Sequence, residues 1–195
     1  MNTNIEAVST TRQILISARM VLTTMAVCCG VYTLLLLGVG QIMVPYTANG
    51  SLLSNDQGEI IGSELIAQAF IRPEYIWPRP SAPDYDASAT GGSNWSPTNP
   101  ALRERAIKIL DRISVEEGNP LPADLVTASG SGMDPHITLK AAQYQMARVA
   151  EARGISVSSV QTVLEKHAEK TGGFLTSKSL VNVLLVNIAL DRLGK

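Results

Sequence analysis

Between residues 20 and 44 the chain reads MVLTTMAVCCGVYTLLLLGVGQIMV, without one charged side chain. As a helix rising 1.5 Å per residue, about 25 such residues extend roughly 37 Å, enough to cross a hydrocarbon core of about 30 Å with some tilt. A soluble core helix seldom needs that length, so residues 20–44 are expected to form a transmembrane helix. A cleaved signal peptide has an apolar core of about 7–15 residues ending in small side chains, and Met43-Val44-Pro45 is a poor match to such an end. A lipid-anchored cysteine fits no better, because bulky Val27 precedes Cys28 and the thiol lies mid-span. Gly30, Gly38 and Gly40 would weaken a helix in water. In lipid they either admit a neighbouring helix or simply face the acyl chains.

Arg12 and Arg19 precede the span, whereas the first charges after it are Asp56, Glu59 and Glu64. The positive-inside rule then places residues 1–19 in the cytoplasm and residues 45–195 outside, in a periplasm or on an outer cell face. About 150 residues follow the span, which suits one domain with a real core rather than two. With Glu6, Arg12 and Arg19 set aside from whole-chain counts of 16 basic and 17 acidic residues, the exported part carries 14 basic and 16 acidic. Nothing in that balance invites nucleic acid. Both cysteines, Cys28 and Cys29, lie in the span, so the exported part has no disulfide and must be stabilised by packing. Its expected architecture is one mixed α/β (α+β) domain with a small sheet and several helices.

SLLSNDQGEIIGS, residues 51–63, places two short apolar runs around Asn55-Asp56-Gln57-Gly58 and reads as a β-hairpin with glycine at a positive-φ turn position. Ser63 is positioned to cap a short helix burying Leu65, Ile66, Ala69 and Phe70. From Arg72 to Pro100 regular structure should stop, because the stretch is dense in Pro, Gly and Ser. Its aromatics Tyr75, Trp77, Tyr85 and Trp95 argue for order nonetheless, and a structureless loop of this length is usually functional or disordered. The loop either docks on a partner or packs on its own domain. Asn99-Pro100 then starts a helix, with Leu102, Ala106, Ile109, Leu110 and Ile113 as its apolar stripe and Gly118 as its stop. Asp124-Leu125-Val126-Thr127 fits a short buried strand. Thr138 should cap a helix reaching Arg153, with Leu139, Ala142, Met146 and Val149 inward and Gly154 as its end. Ser156 should cap another reaching about Lys170, with Val160, Val163 and Leu164 inward and His167 at the surface. The last segment, residues 180–193, is apolar nearly all round and belongs to a core or an interface. Asn182 and Asn187 within it need buried partners, for which free backbone groups of the long loop are candidates.

TASGSGMDPHIT, residues 127–138, brings Ser129, Ser131, Asp134 and His136 close in sequence. A hydrolase triad is a poor reading. Triads usually join distant parts of the chain, and no Gly-x-Ser-x-Gly elbow enters a long helix here. The amides of Gly130, Ser131 and Gly132 could cradle an anion; alternatively this is a tight turn that needs glycine. Two histidines in the whole chain and no exported cysteine make a dedicated zinc site improbable.

GSELIAQAF (residues 62–70), WPRPSAPDYDASATGGSNWSPTNP (residues 77–100), DLVTASGSGMDPHI (residues 124–137) and VNVLLVNIALD (residues 181–191), all following one membrane span, resemble the KdpC family, the C subunits of Kdp potassium-transporting P-type ATPases. The likeness runs from the span almost to the C-terminus; Trp95 and Met133 stand where leucine is more usual. The resemblance implies a non-pumping accessory subunit in a bacterial inner membrane, beside a K⁺-selecting channel-like subunit (KdpA), an ATP-hydrolysing subunit (KdpB) and a small peptide (KdpF). It implies no intrinsic cofactor, no metal and no catalytic residue, with K⁺ handled by the complex. Two roles are implied. In one, the exported domain docks over the outer mouth of the channel-like subunit, with Trp77, Arg79, Pro80, Ser81 and Tyr85 as partner or loop contacts. In the other, it is a catalytic chaperone raising the pump's affinity for ATP through Gly91, Gly92, Ser93 and Asn94. A third possibility, an independent membrane-anchored exported enzyme, predicts activity in the isolated domain. In all of these Ser129, Gly130, Ser131, Gly132, Asp134 and His136 form an architectural turn. Arg79 is expected to make a two-pronged polar contact that fixes the long loop, as guanidinium forks do.

Overall fold

The computed structural model describes residues 9–55, 57–113, 118–170 and 178–193. It divides into two units, Met1–Ser51 and Leu52–Lys195. In the first, α1 (Thr10–Met25), a π-helical turn (Ala26–Val31) and α2 (Tyr32–Met43) run on as one helix of 34 residues, long and apolar enough to cross a membrane. None of its most apolar window is buried within the protein, the arrangement expected where lipid is the solvent. The helix therefore begins about ten residues before the apolar core. A side chain added at Gly30 or Gly38 would meet nothing, so neither glycine is required by packing within this chain. Pro45 breaks the helix and opens the short turn α3 (Pro45–Ala48), where Asn49 and Gln41 exchange amide hydrogen bonds at 3.1 and 3.2 Å.

The second unit is mixed α+β, as the sequence indicates. β1 (Leu52–Ser54) and β2 (Ile60–Ser63) pair antiparallel, with a bulge between Leu53 and Ser54. Asn55 builds the turn. Its Oδ1 accepts from the amides of Gln57 and Glu59, and Gly58 supplies φ of +82°. Asp56 lies outside the described residues. A second sheet has the order β3-β5-β4, all antiparallel, from β3 (His136–Thr138), β4 (Ala168–Glu169) and β5 (Leu180–Asn182). Around it lie α5 (Leu139–Gln143), α6 (Met146–Arg153), α7 (Val157–Lys166) and α8 (Val183–Leu193). Thr138 and Ser156 cap α5 and α7 through their hydroxyls, and Gly154 ends α6 in the left-handed region. Ile76, Ile137, Val149, Val160, Leu164, Val181, Val186 and Leu190 form the centre of the core.

Several local expectations give way. Ser63 caps no helix; its Oγ accepts from the Leu65 amide in a turn, after which Ala67 donates to the Met133 carbonyl in extended chain. Asp124-Leu125 belongs to a 3₁₀ turn (Ala123–Leu125) rather than a strand, because the Asp124 carboxylate turns back to accept from the Thr138 amide at 2.9 Å. The helix after Thr138 is interrupted at Tyr144 and Gln145, α7 stops at Lys166, and Leu180–Asn182 is strand before it is helix. α4 (Pro100–Arg112) starts as expected, with Asn99 Oδ1 accepting from Ala101, but ends well before Gly118 because Ile113 is already extended.

Candidate functional site

Among the described residues no strand pairs with residues 70–77, yet their carbonyls are nearly all taken, by side chains. Arg112 donates to Ile71 O at 3.0 Å, the Trp77 indole to Arg72 O at 2.9 Å, Arg148 to Pro73 O, and Arg153 Nε to Glu74 O at 2.6 Å. Two buried amides complete the set. Asn187 on α8 accepts from the Ile76 amide at 2.8 Å and donates to the Ile76 carbonyl at 3.0 Å. Gln145, at the break between α5 and α6, does the same for Trp77 at 2.9 and 3.1 Å. Each carboxamide thus mimics one rung of a β-ladder, and the segment is a strap pinned across the helices. Apart from the turn in which the Tyr75 amide donates to Arg72 O at 3.3 Å, the segment's polar backbone relies on these side chains, and buried backbone groups without partners are costly.

Trp77 is the anchor of the strap. It is 7 % exposed, and the guanidinium carbons of Arg112 and Arg148 lie 3.7 and 3.6 Å from its ring centroid. Cation–π stacking of this kind is worth roughly 1–2 kcal/mol when desolvated. Burial, reinforced by Arg112, lowers the Arg148 guanidinium to about 10, and burial lowers Arg112 as well. Beyond the strap, Arg79 donates through Nε to Thr127 O at 3.3 Å and through its other arm to Ala128 O at 3.2 Å. Pro80 O accepts from the Ser129 amide at 3.0 Å. Ser81 Oγ donates to Gly132 O at 2.7 Å and accepts from the Tyr85 amide, while the Tyr85 hydroxyl returns to Arg79 O at 2.8 Å. Burial pushes the Tyr85 phenol up to about 12, with Arg112 opposing and Asp84 adding to the shift.

The two glycine-rich segments meet. Gly91 N and Thr90 Oγ1 both donate to Ser131 O, at 2.8 and 3.1 Å. A Cβ on Gly92 would stand 2.9 Å from Gly130 O, and one on Gly132, whose φ is +73°, would run into the Pro83 ring. Glycine is required at both positions by close approach of backbone to backbone. Ser93 is half-buried beside them, and Asn94 is exposed with φ of +49°. Residues 79–85, 90–92 and 127–132 therefore form one interlocked corner.

Asp134 and His136 leave that corner. Asp134 Oδ1 lies 3.0 Å from His136 Nδ1, and this hydrogen bond holds the carboxyl below the usual carboxylate range. The serines are engaged elsewhere: Ser129 Oγ accepts from the Gly132 amide and Ser131 Oγ from the Met133 amide. His136 faces a separate cleft of about 230 Å³ that also holds Glu64, Lys166, His167 and Glu169. His167 is half-buried at the edge of that cleft, its Nδ1 lying 2.8 Å from Val163 O. Among the described residues no group of three or more His, Cys, Asp or Glu side chains is placed to hold a metal ion.

Sequence reasoning missed Gln145, Arg112, Arg148 and Arg153. A signal for Gln145 existed, since it stands three residues after Ala142 and four before Val149, on the stripe read as buried. A polar side chain in an apolar stripe implies a buried backbone partner. The arginines gave no such signal.

The family model described as KdpC, "K+-transporting ATPase, c chain", matches residues 14–192. A potassium-transporting ATPase KdpC subunit of Parvibaculum lavamentivorans is 47% identical over 176 residues, covering 90% of this chain and 94% of the relative. A namesake from Shewanella putrefaciens is 41% identical over 188 residues, covering 95% and 94%. Another from Pseudomonas aeruginosa is 43% identical over 164 residues, covering 84% and 88%. The chain belongs to the KdpC family.

Proposed function

We propose that this chain is the non-pumping accessory subunit of a potassium-transporting ATPase, held in the inner membrane by one span, and that its larger unit docks outside the cell membrane over the channel-like subunit. KdpA, KdpB and KdpF are the partners this reading requires. K⁺ selection and ATP hydrolysis belong to those partners, and the contribution of this chain is assembly. Residues 1–19 lie in the cytoplasm, 20–44 in the bilayer and 45–195 outside. Arg12 and Arg19 before the span, against Glu59 and Glu64 as the nearest described charges after it, support this direction of insertion. Gly30 and Gly38, open on the helix surface, leave room for close approach of a partner's helix.

The observation that carries the reading is the interlock of the glycine-rich segments. In a phosphate-binding loop, glycines keep the backbone bare so that its amides can reach the ligand. Here Gly92 is bare because Gly130 O needs the space, and the Gly91 amide is spent on Ser131 O. The chemistry offered is that of a rigid corner presenting a fixed surface. The chaperone alternative, with ATP at Gly91, Gly92, Ser93 and Asn94, requires this corner to open and to face the cytoplasm.

The test is topology. A cysteine introduced after Lys195, in the full chain within its complex, should react with a membrane-impermeant thiol reagent on intact spheroplasts, while lipid-buried Cys28 and Cys29 stay silent. Reaction only after lysis would reverse the orientation and leave the nucleotide role as the better account.

A further inference from the structure

Two cations of the second unit lack an acid. The ion pairs among the described residues are Arg72 with Glu74, His136 with Asp134, and Arg153 with Asp191, and neither Arg112 nor Arg148 takes part in one. Both guanidinium groups lie against Trp77. Arg148 is fully engaged, with Nη1 donating to Pro73 O and Nη2 to Gln145 Oε1. Arg112 is not. Only its Nη2 has acceptors among the described residues, Ile71 O at 3.0 Å and Phe70 O at 3.4 Å, although a guanidinium carries five N–H donors. Burial lowers Arg112 and Tyr85 alone opposes that shift, so no described carboxylate steadies the charge.

The face of α4 that bears Arg112 opens on a cleft. Residues 105, 109 and 112 share one side of a helix, and here they are Arg105, Ile109 and Arg112. The acids of α4, Glu104 and Asp111, are exposed, whereas Arg105 Nε is buried and meets no acceptor. Beside Arg112, a cleft of about 130 Å³ is walled by Trp77, Pro80, Tyr85, Ile109 and Leu125, and no carboxylate lines it among the described residues. The other polar atoms of these side chains are already bonded, the indole to Arg72 O and the phenol to Arg79 O. Asp84, whose charge reaches Tyr85, is exposed and forms no ion pair among the described residues. The cleft therefore combines apolar walls with one cationic fork that still has donors to give.

We infer that this cleft receives a glutamate side chain from a partner subunit, its carboxylate on Arg112 and its methylenes against Ile109 and Leu125. The inference rests on the assembly reading above. At about 30 Å³ for a water-sized group, the volume suits roughly four or five heavy atoms, the size of a carboxylate on two methylenes. A carboxylate on a guanidinium in a partly desolvated site makes a strong charge-assisted pair. A free acid of that size would have to offset its whole loss of translational freedom with a few atoms, whereas a side chain on an already associated subunit does not. Within this chain the rival source is Glu116 or Glu117, which lie outside the described residues.

The experiment uses the full-length chain in detergent, with Trp95→Phe so that Trp77 alone reports. Propionate, the free counterpart of the glutamate side chain, should change Trp77 emission saturably at millimolar concentration, and propionamide and chloride should not. Ile109→Glu sets a carboxylate three residues before Arg112 on the same face, and should abolish the propionate response without loss of thermal stability. Co-expressed with the partner subunits and recovered through a tag, the Ile109→Glu chain should bring down about tenfold less of its partner, because the guanidinium is already occupied. Ile109→Leu should bring down the full amount. An absent propionate response, an equal response to chloride, or a response that emerges only with Glu116→Gln and Glu117→Gln would each overturn the inference. Full assembly or loss of stability in Ile109→Glu would overturn it too. Cytoplasmic thiol labelling in the topology experiment would instead remove the outer-face reading and leave the propionate response in place.

Discussion

The strap at residues 70–77 and the β3-β5-β4 sheet both contribute to the same core, and their backbones are held by opposite means. In the sheet, backbone pairs with backbone: His136, Ile137 and Thr138 register with Asn182, Val181 and Leu180. A side-chain substitution there changes packing but leaves the ladder in place. In the strap, Ile76 and Trp77 pair with the carboxamides of Asn187 and Gln145, and the carbonyls before them with guanidinium groups. Its geometry is written in a few named side chains, each of which can be lost singly. The strap thereby fixes the corner built from residues 79–85, 90–92 and 127–132.

The largest test of that contrast is Asn187→Leu. It strands the amide and carbonyl of Ile76, a residue with 0 % exposure, and should cost about 3–4 kcal/mol. Ile137→Val, in the ladder, should cost only about 1 kcal/mol. Denaturant unfolding of the detergent-solubilised full chain, read by Trp77 fluorescence, measures both. Equal costs would erase the distinction between strap and sheet.

Arg79→Lys probes the corner that the strap positions. An ammonium has the charge but not the fork that reaches Thr127 O and Ala128 O together, so stability should fall by roughly 1 kcal/mol. Assembly with the channel-like subunit should weaken in the same variant. Unchanged yield and unchanged K⁺-stimulated ATPase would confine Arg79 to a dispensable contact.

The smallest effect is a titration. The folded Tyr85 phenol sits at about 12 against an ordinary value of 10.0. A raised folded value means that the folded state holds the proton longer. Its contribution to stability is complete below pH 10 and is lost as pH rises toward 12. In an alkaline absorbance titration, Tyr85→Phe should remove a step near pH 12 from the curve of the unaltered chain. Loss of an early step instead would mean that the corner leaves Tyr85 open to water.

The sequence by itself determined what depends on neighbours in the chain. The uncharged run at residues 20–44 dictates a membrane helix because lipid offers no other partner for its backbone. Asn99-Pro100, Thr138, Ser156 and Gly154 mark helix ends because capping is settled within a few residues. Gly58 marks the hairpin turn for the same reason. Even the need of Asn187 for loop backbone was legible, since a buried amide on an apolar helix must find partners. Where local signals competed with distant ones they failed. Ser63 has the right chemistry for a cap, but Ala67 is claimed by Met133, and a helix after Thr138 is broken where Gln145 turns to Trp77, 68 residues away. Only the tertiary structure decided that Gly92 and Gly130 touch, that two arginines stack on one indole, and that His136 and His167 share a cleft apart from the serines. Those pairings bring together side chains whose spacing along the chain carries no period, and closure of long loops against a common core is what selects them.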